Sequence, residues 1–127
     1  MFCSYDANDI KNLEFLGFVG FVDPLRSTSK SSIETCRRAG IRVIMITGDH
    51  PLTAKSISKE LGLINDDSWV VSGSEIEEAY NNSKEKLVRL ISEHDVFARV
   101  SPSQKSIIVE TLNELGEFTA VTGEWNK

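Results

Sequence analysis

Residues 40–63, GIRVIMITGDHPLTAKSISKELGL, decide the fold, because they join an apolar run to a helix through a turn of anion-binding composition. Val43, Ile44, Met45 and Ile46 form an unbroken apolar run between Arg42 and Thr47. The run is too short for a typical helix and suits a strand buried on both faces. Such a strand predicts a parallel sheet flanked by helices. Thr47-Gly48-Asp49-His50 is then the turn, and Pro51, at the first helical position, opens a helix whose apolar side is Ala54, Ile57 and Leu61 and which Gly62 stops. In open α/β sheets, ligands bind beyond the carboxyl ends of the strands, where helix amino termini offer free N–H groups and a partial positive charge. Thr47 and Gly48 fall there.

The alternation continues outward from this segment. On the amino-terminal side, residues 13–22, LEFLGFVGFV, read as a central strand ended by Asp23-Pro24. Residues 27–39 read as a helix with Ile33, Cys36 and Ala39 on its inner side, closed by Gly40. On the other side, Trp69-Val70-Val71 is a short strand, and Ser74 with Glu77 has the spacing of a capping box for a helix over residues 75–80. Asn81-Asn82 breaks that helix, and a second runs over residues 84–92 with Leu87, Leu90 and Ile91 inward. Val96-Phe97-Ala98 is another strand, and Ser101-Pro102-Ser103-Gln104 opens a helix with the inner face Ile108, Leu112 and Leu115, ended by Gly116. Residues 118–121 read as a final strand running into Thr122-Gly123, an echo of Thr47-Gly48 that predicts two Thr-Gly pairs at one sheet edge. Residues 1–12 are a polar lead-in without an assigned role. Strands alternating with helices, with no hairpin signal, predict one α/β domain over residues 1–127 built on a doubly wound, mostly parallel sheet.

Composition narrows the function. The chain has 127 residues, 40% apolar and 26% charged, as expected of a soluble globular domain rather than a disordered one. No stretch approaches the length of a membrane span, so direct membrane insertion of this segment is not expected. The net charge is -5, from 14 basic and 19 acidic residues with the basic ones scattered, which argues against a nucleic-acid partner. Cys3 and Cys36 match no metal-ligand spacing or disulfide framework and fit a reducing compartment. His50 and His94 lack the neighbours a zinc site needs.

A threonine hydroxyl, a glycine N–H and a helix amino terminus can together hold phosphoryl oxygens, and a nearby lysine can offset the negative charge of phosphoryl transfer. Thr47, Gly48 and Lys105 are the candidates. Taken alone, Thr47-Gly48-Asp49 also reads as an ordinary strand-to-helix turn capped by Asp49, and Lys105 as a solvated helix lysine. Asp23-Pro24 likewise reads as a plain turn, and Arg26 and Arg99 as surface charges.

Three longer stretches bear on that choice. NLEFLGFVGFVDPLR resembles the segment around the Asp-Pro-Pro-Arg motif of P-type cation-transporting ATPases, residues 40–63 resemble their Thr-Gly-Asp segment, and VFARVSPSQKSIIVETL resembles the segment that holds their lysine. The order and spacing match, SGSEIEEA and TAVTG are also similar, and the likeness extends over residues 13–123. The resemblance implies the carboxy-terminal part of a pump's phosphorylation domain, a Rossmann-like, haloacid dehalogenase-like fold on the cytoplasmic side of a membrane. It further implies ATP and Mg2+ as ligands of the parent protein, with the nucleotide-binding, actuator and transmembrane domains as partners. Carried over by position, Thr47 and Gly48 would bind the phosphoryl group with Asp49 in the same turn, and Lys105 would balance its charge. Asp23 and Arg26 would lie near the nucleotide and the domain hinge, Arg99 would contact the nucleotide, and Glu124 would stand where the family has a magnesium-binding aspartate.

The chain also departs from that pattern. It contains no Asp-Lys-Thr-Gly-Thr sequence, Leu25 replaces the second proline of the Asp-Pro-Pro-Arg motif, and Glu124-Trp125-Asn126-Lys127 stands where Asp-Gly-x-Asn-Asp is expected. A fragment, a truncation or a decayed gene product fits these departures, and each implies a chain that cannot run the pump cycle alone. One rival is a free-standing haloacid dehalogenase-like phosphatase, which needs a second Asp two residues after its nucleophile. Asp23 is followed by Pro24 and Leu25. A second rival is a phospho-receiver, which places proline directly after its lysine, whereas Pro102 precedes Lys105 by three positions. A third is an interaction domain that uses the fold without chemistry.

Overall fold

The computed structural model describes residues 14–21 and 24–123. Its elements, in chain order, are α1 (Ser29–Arg38), β1 (Met45–Ile46), α2 (Pro51–Glu60), β2 (Val71–Ser72), α3 (Gly73–Asn82), α4 (Lys84–Glu93), β3 (Val96–Ala98) and α5 (Pro102–Glu114). β3 lies at the centre of a parallel sheet of order β1-β3-β2. Met45 and Ile46 stand opposite Val96 and Phe97 on one side, and Val71 and Ser72 opposite Phe97 and Ala98 on the other.

Because successive side chains of a strand point to opposite faces, β3 feeds two cores. Phe97 packs with Val71, with Ile76 and Ala79 of α3, with Leu87 and Ile91 of α4, and with Ile108 and Leu112 of α5. Val96 and Ala98 face the other way onto Ala54 of α2, with Met45, Ile64 and Val70 beside them. The β1-to-β2 crossover through α2 therefore covers one face, and the return from β2 to β3 through α3 and α4 covers the other. This is the doubly wound α/β arrangement that the strand–helix alternation predicts. Phe97, Ile76, Ile91, Ile108, Val71 and Val96 are all fully buried. Each contributes on the order of 1.5–3 kcal/mol of hydrophobic stabilisation.

Several expectations are corrected. Residues 14–21 form no strand, and their large apolar side chains are exposed, Phe18 by 95%. Residues 118–121 form none either, and Phe118 is fully exposed. Apolar and β-branched content makes a strand only where a neighbouring ladder takes its N–H and C=O groups, and among the described residues neither segment has one. α1 buries no residue completely: Ile33 and Cys36 are half-buried and Ala39 is exposed. On α2 the buried positions are Ala54 and Ser58, with Ile57 and Leu61 only half-buried. Ser58 is tolerated inside because its hydroxyl donates to the Ala54 carbonyl at 2.7 Å. The strand predicted over 69–71 is shifted to Val71–Ser72, so the capping box before α3 is Ser72 with Glu75 rather than Ser74 with Glu77. α3 runs on through Asn81 and Asn82, and Ser83, in extended backbone, ends it and caps α4. The Ser101–Gln104 capping box is present as predicted, whereas Leu115, expected inside, is 46% exposed.

Candidate functional site

Thr47 leaves β1 at the carboxyl edge of the sheet, and its backbone stays in register with β3 and the loop beyond. The Thr47 N–H donates to the Phe97 carbonyl at 2.9 Å, and the Thr47 carbonyl accepts from the Val100 N–H at 3.0 Å. One step further, the Asp49 carbonyl accepts from the Arg99 N–H at 3.0 Å. These three bonds fasten the Thr47–Asp49 turn to residues 97–100. Arg99 takes the left-handed backbone conformation, φ 50°, in order to make this connection. For a non-glycine residue that conformation costs on the order of 1 kcal/mol, offset by the bonds it permits.

Within the turn, the Thr47 hydroxyl accepts from the Asp49 N–H at 3.1 Å and donates to Asp49 Oδ2 at 2.9 Å. Thr47 is half-buried, while Gly48 and Asp49 face solvent. The predicted capping role of Asp49 is corrected here. His50 is the N-cap, its Nδ1 accepting from the Leu52 N–H at 3.2 Å and its carbonyl accepting from the Ala54 N–H. Asp49 is occupied by the Thr47 hydroxyl, so a ligand oxygen that takes this hydroxyl proton competes with Asp49 Oδ2.

Immediately after residues 97–100, Ser101 caps α5. Its hydroxyl accepts from the Gln104 N–H, Gln104 Oε1 accepts from the Ser101 N–H at 3.0 Å, and Pro102 occupies the first turn. The Lys105 N–H closes the first full turn onto the Ser101 carbonyl at 3.0 Å, and its side chain is half-buried. α2 and α5 therefore both begin at the same sheet edge, and neither has an acidic side chain in its first turn. Their amino-terminal partial charges are left unneutralised by the helices themselves, which favours an anion beside Thr47.

The fold thus brings Thr47, Gly48, Asp49, Arg99 and the start of the Lys105 helix to one edge. Arg26 stands at the entry to α1, where its carbonyl accepts from the Ser29 N–H at 2.9 Å. Asp23 and Glu124 lie outside the described residues. Thr122-Gly123 is not carried to the sheet edge by a strand, since residues 118–121 form none. Among the described residues no group of three His, Cys, Asp or Glu side chains could hold a metal ion. Sequence reasoning missed Val100, whose N–H holds the turn, and Gly73, which lies against Arg99. Only the Ser-Pro-Ser-Gln capping box, adjacent to both contacts, hinted at them.

Two comparisons with known proteins bear on the family of the chain. A family model described as haloacid dehalogenase-like hydrolase matches residues 2–123. The chain belongs to that family. Its curated relatives are P-type cation-transporting ATPases. It is 45% identical over 94% of its length to a Mycoplasma genitalium protein bearing the name "Probable cation-transporting P-type ATPase", and 45% identical over 90% to calcium-transporting ATPase 1 of Bacillus cereus. It is also 37% identical over 91% of its length to the sodium/potassium-transporting ATPase subunit alpha of Drosophila melanogaster. The chain spans 12–13% of the length of these relatives.

Proposed function

We propose that this chain supplies the phosphate- and nucleotide-contacting part of the phosphorylation domain of an ATP-driven cation pump. On this reading it works on the cytoplasmic side of a membrane, with the nucleotide-binding, actuator and transmembrane parts of the pump as partners. Among the described residues no helix is long and apolar enough to cross a membrane. The observation that carries the reading is the fastening of the Thr47–Asp49 turn to residues 97–100, because it sets a hydroxyl, a main-chain amide and the Lys105 helix on one edge. A phosphoryl group seated there takes hydrogen bonds from Thr47 Oγ1 and the Gly48 N–H, while the Lys105 ammonium offsets its charge. Arg99, exposed beside the turn, is free to reach a nucleotide further out. Magnesium, when bound with the nucleotide, supplies further charge neutralisation at the phosphate oxygens. The described residues offer it Asp49 at this turn, in keeping with an ion held mainly by phosphate and water.

The chain contains no Asp-Lys-Thr-Gly-Thr sequence, so the reading includes binding without turnover by the chain alone. Calorimetric titration with MgATP tests it. Weak binding in the wild type, lost in both Arg99→Ala and Lys105→Ala, is the expected result, and binding indifferent to both substitutions refutes it. Turnover of a small phosphoester that Asp23→Asn abolishes would instead establish the phosphatase.

A further inference from the structure

The amino terminus of α3 meets residues 99–104 at the same edge as the Thr47 turn, through a contact that only glycine allows. A Cβ at Gly73 would lie 2.3 Å from the Arg99 carbonyl oxygen and 2.6 Å from Gln104 Oε1. Gly73 is buried, and its carbonyl accepts from Gln104 Nε2 at 3.0 Å. The other end of the same amide accepts from the Ser101 N–H at 3.0 Å. Gln104 thus joins the first residue of α3 to the Ser101 N-cap of its own helix, while Arg99, whose carbonyl lies against Gly73, donates its own N–H to the Asp49 carbonyl.

We propose that Gly73 and Gln104 are positioning residues that set where the Thr47–Asp49 turn stands, acting through the Arg99–Val100 backbone. For its consequence to ligands this rests on the phosphate reading above; the geometric link does not. Any side chain at position 73 pushes the Arg99 carbonyl back. An oxygen 2.3 Å from carbon must retreat by about 1 Å to reach ordinary van der Waals contact. The peptide that moves carries the Val100 N–H that holds Thr47, and the Arg99 N–H that holds Asp49 lies on the peptide just before it. The turn must follow or lose its bonds. Displacement of a binding group by this amount is expected to weaken MgATP binding by up to about a hundredfold, the cost a misplacement of about 1 Å can carry.

Amide NMR of the full 127-residue chain reads the link directly. In Gly73→Ala, the resonances of Gly48, Asp49, Arg99 and Val100 are expected to shift while those of Leu61 and Gly62, at the far end of α2, stay in place. A folded Gly73→Ala variant with Gly48 and Asp49 at their wild-type positions overturns the proposal. Should that variant fail to fold, Gln104→Glu gives the same reading without added bulk: it keeps the acceptor for Ser101 and replaces the donor to Gly73 with a second acceptor. Smaller shifts at Gly48 and Asp49 support the link, and none refutes it. Adding MgATP to the wild type separates the two readings. Mutational shifts combined with no MgATP response at Thr47 or Gly48 uphold the link and sink the phosphate reading alone.

Discussion

Replacing Thr47 by valine keeps the volume and branching of the side chain and removes only the hydroxyl. That hydroxyl makes two hydrogen bonds within the turn, accepting from the Asp49 N–H at 3.1 Å and donating to Asp49 Oδ2 at 2.9 Å. A net contribution of about 0.5–1.5 kcal/mol per bond applies, at the lower end here because Asp49 is exposed and water replaces part of what is lost. Thr47→Val is therefore expected to lose about 1 kcal/mol, or roughly 0.5 M in urea midpoint at a slope of about 2 kcal/mol/M. Thr47→Ser retains the hydroxyl and should remain within about 0.5 kcal/mol of the wild type. Asp49→Ala removes one of the two bonds, so the double variant should fall short of additivity by roughly 0.5 kcal/mol, the signature of a shared contact. Urea unfolding followed by circular dichroism measures the four variants against the wild type. Strict additivity, or a Thr47→Ser variant as unstable as Thr47→Val, would show that the hydroxyl does not organise the turn.

Two further predictions concern the scaffold. Phe97→Ala removes a fully buried side chain from the central strand and should cost about 3–5 kcal/mol, whereas Phe118→Ala, at a fully exposed position, should be close to neutral; equal costs in thermal melts would refute the assigned core. Burial, the largest single influence on Glu75, pushes its pKa up, but hydrogen bonds from the Ser72 hydroxyl and N–H and the Trp69 indole, with the charge of His94, together hold it below the ordinary 4.5. The stability Glu75 contributes is thus full above about 4.5 and is lost as pH falls through the lower folded value, so Glu75→Gln should destabilise at neutral pH and converge with the wild type in acid, with a gap that widens on acidification as the contrary result.

Much of the scaffold is legible in local chemistry. Pro51, the Ser101–Gln104 capping box and Gly116 mark helix ends through φ restriction, side-chain capping and left-handed backbone, all set by nearest neighbours. The apolar run at 96–98 is β3, buried on both faces as a short run apolar on both has to be, whereas the run predicted as a doubly buried strand over 43–46 keeps only Met45–Ile46 as β1, half-buried because it stands at the edge of the sheet. Residues 13–22 carry the same signal and fail to become a strand where they are described, since ladder partners are supplied from elsewhere in space.

The sequence by itself therefore determined the α/β class, the starts of α2 and α5, and the chemical types at Thr47, Gly48 and Lys105. Only the tertiary structure decided that β3 is central, that His50 rather than Asp49 caps α2, that Val100 and Arg99 hold the turn, and that Gly73 lies against Arg99. The reason is one of range. Capping and chain reversal are settled within a few residues, whereas strand order and the packing of Gly73 against Arg99 join segments more than twenty residues apart and exist only once the two cores have closed.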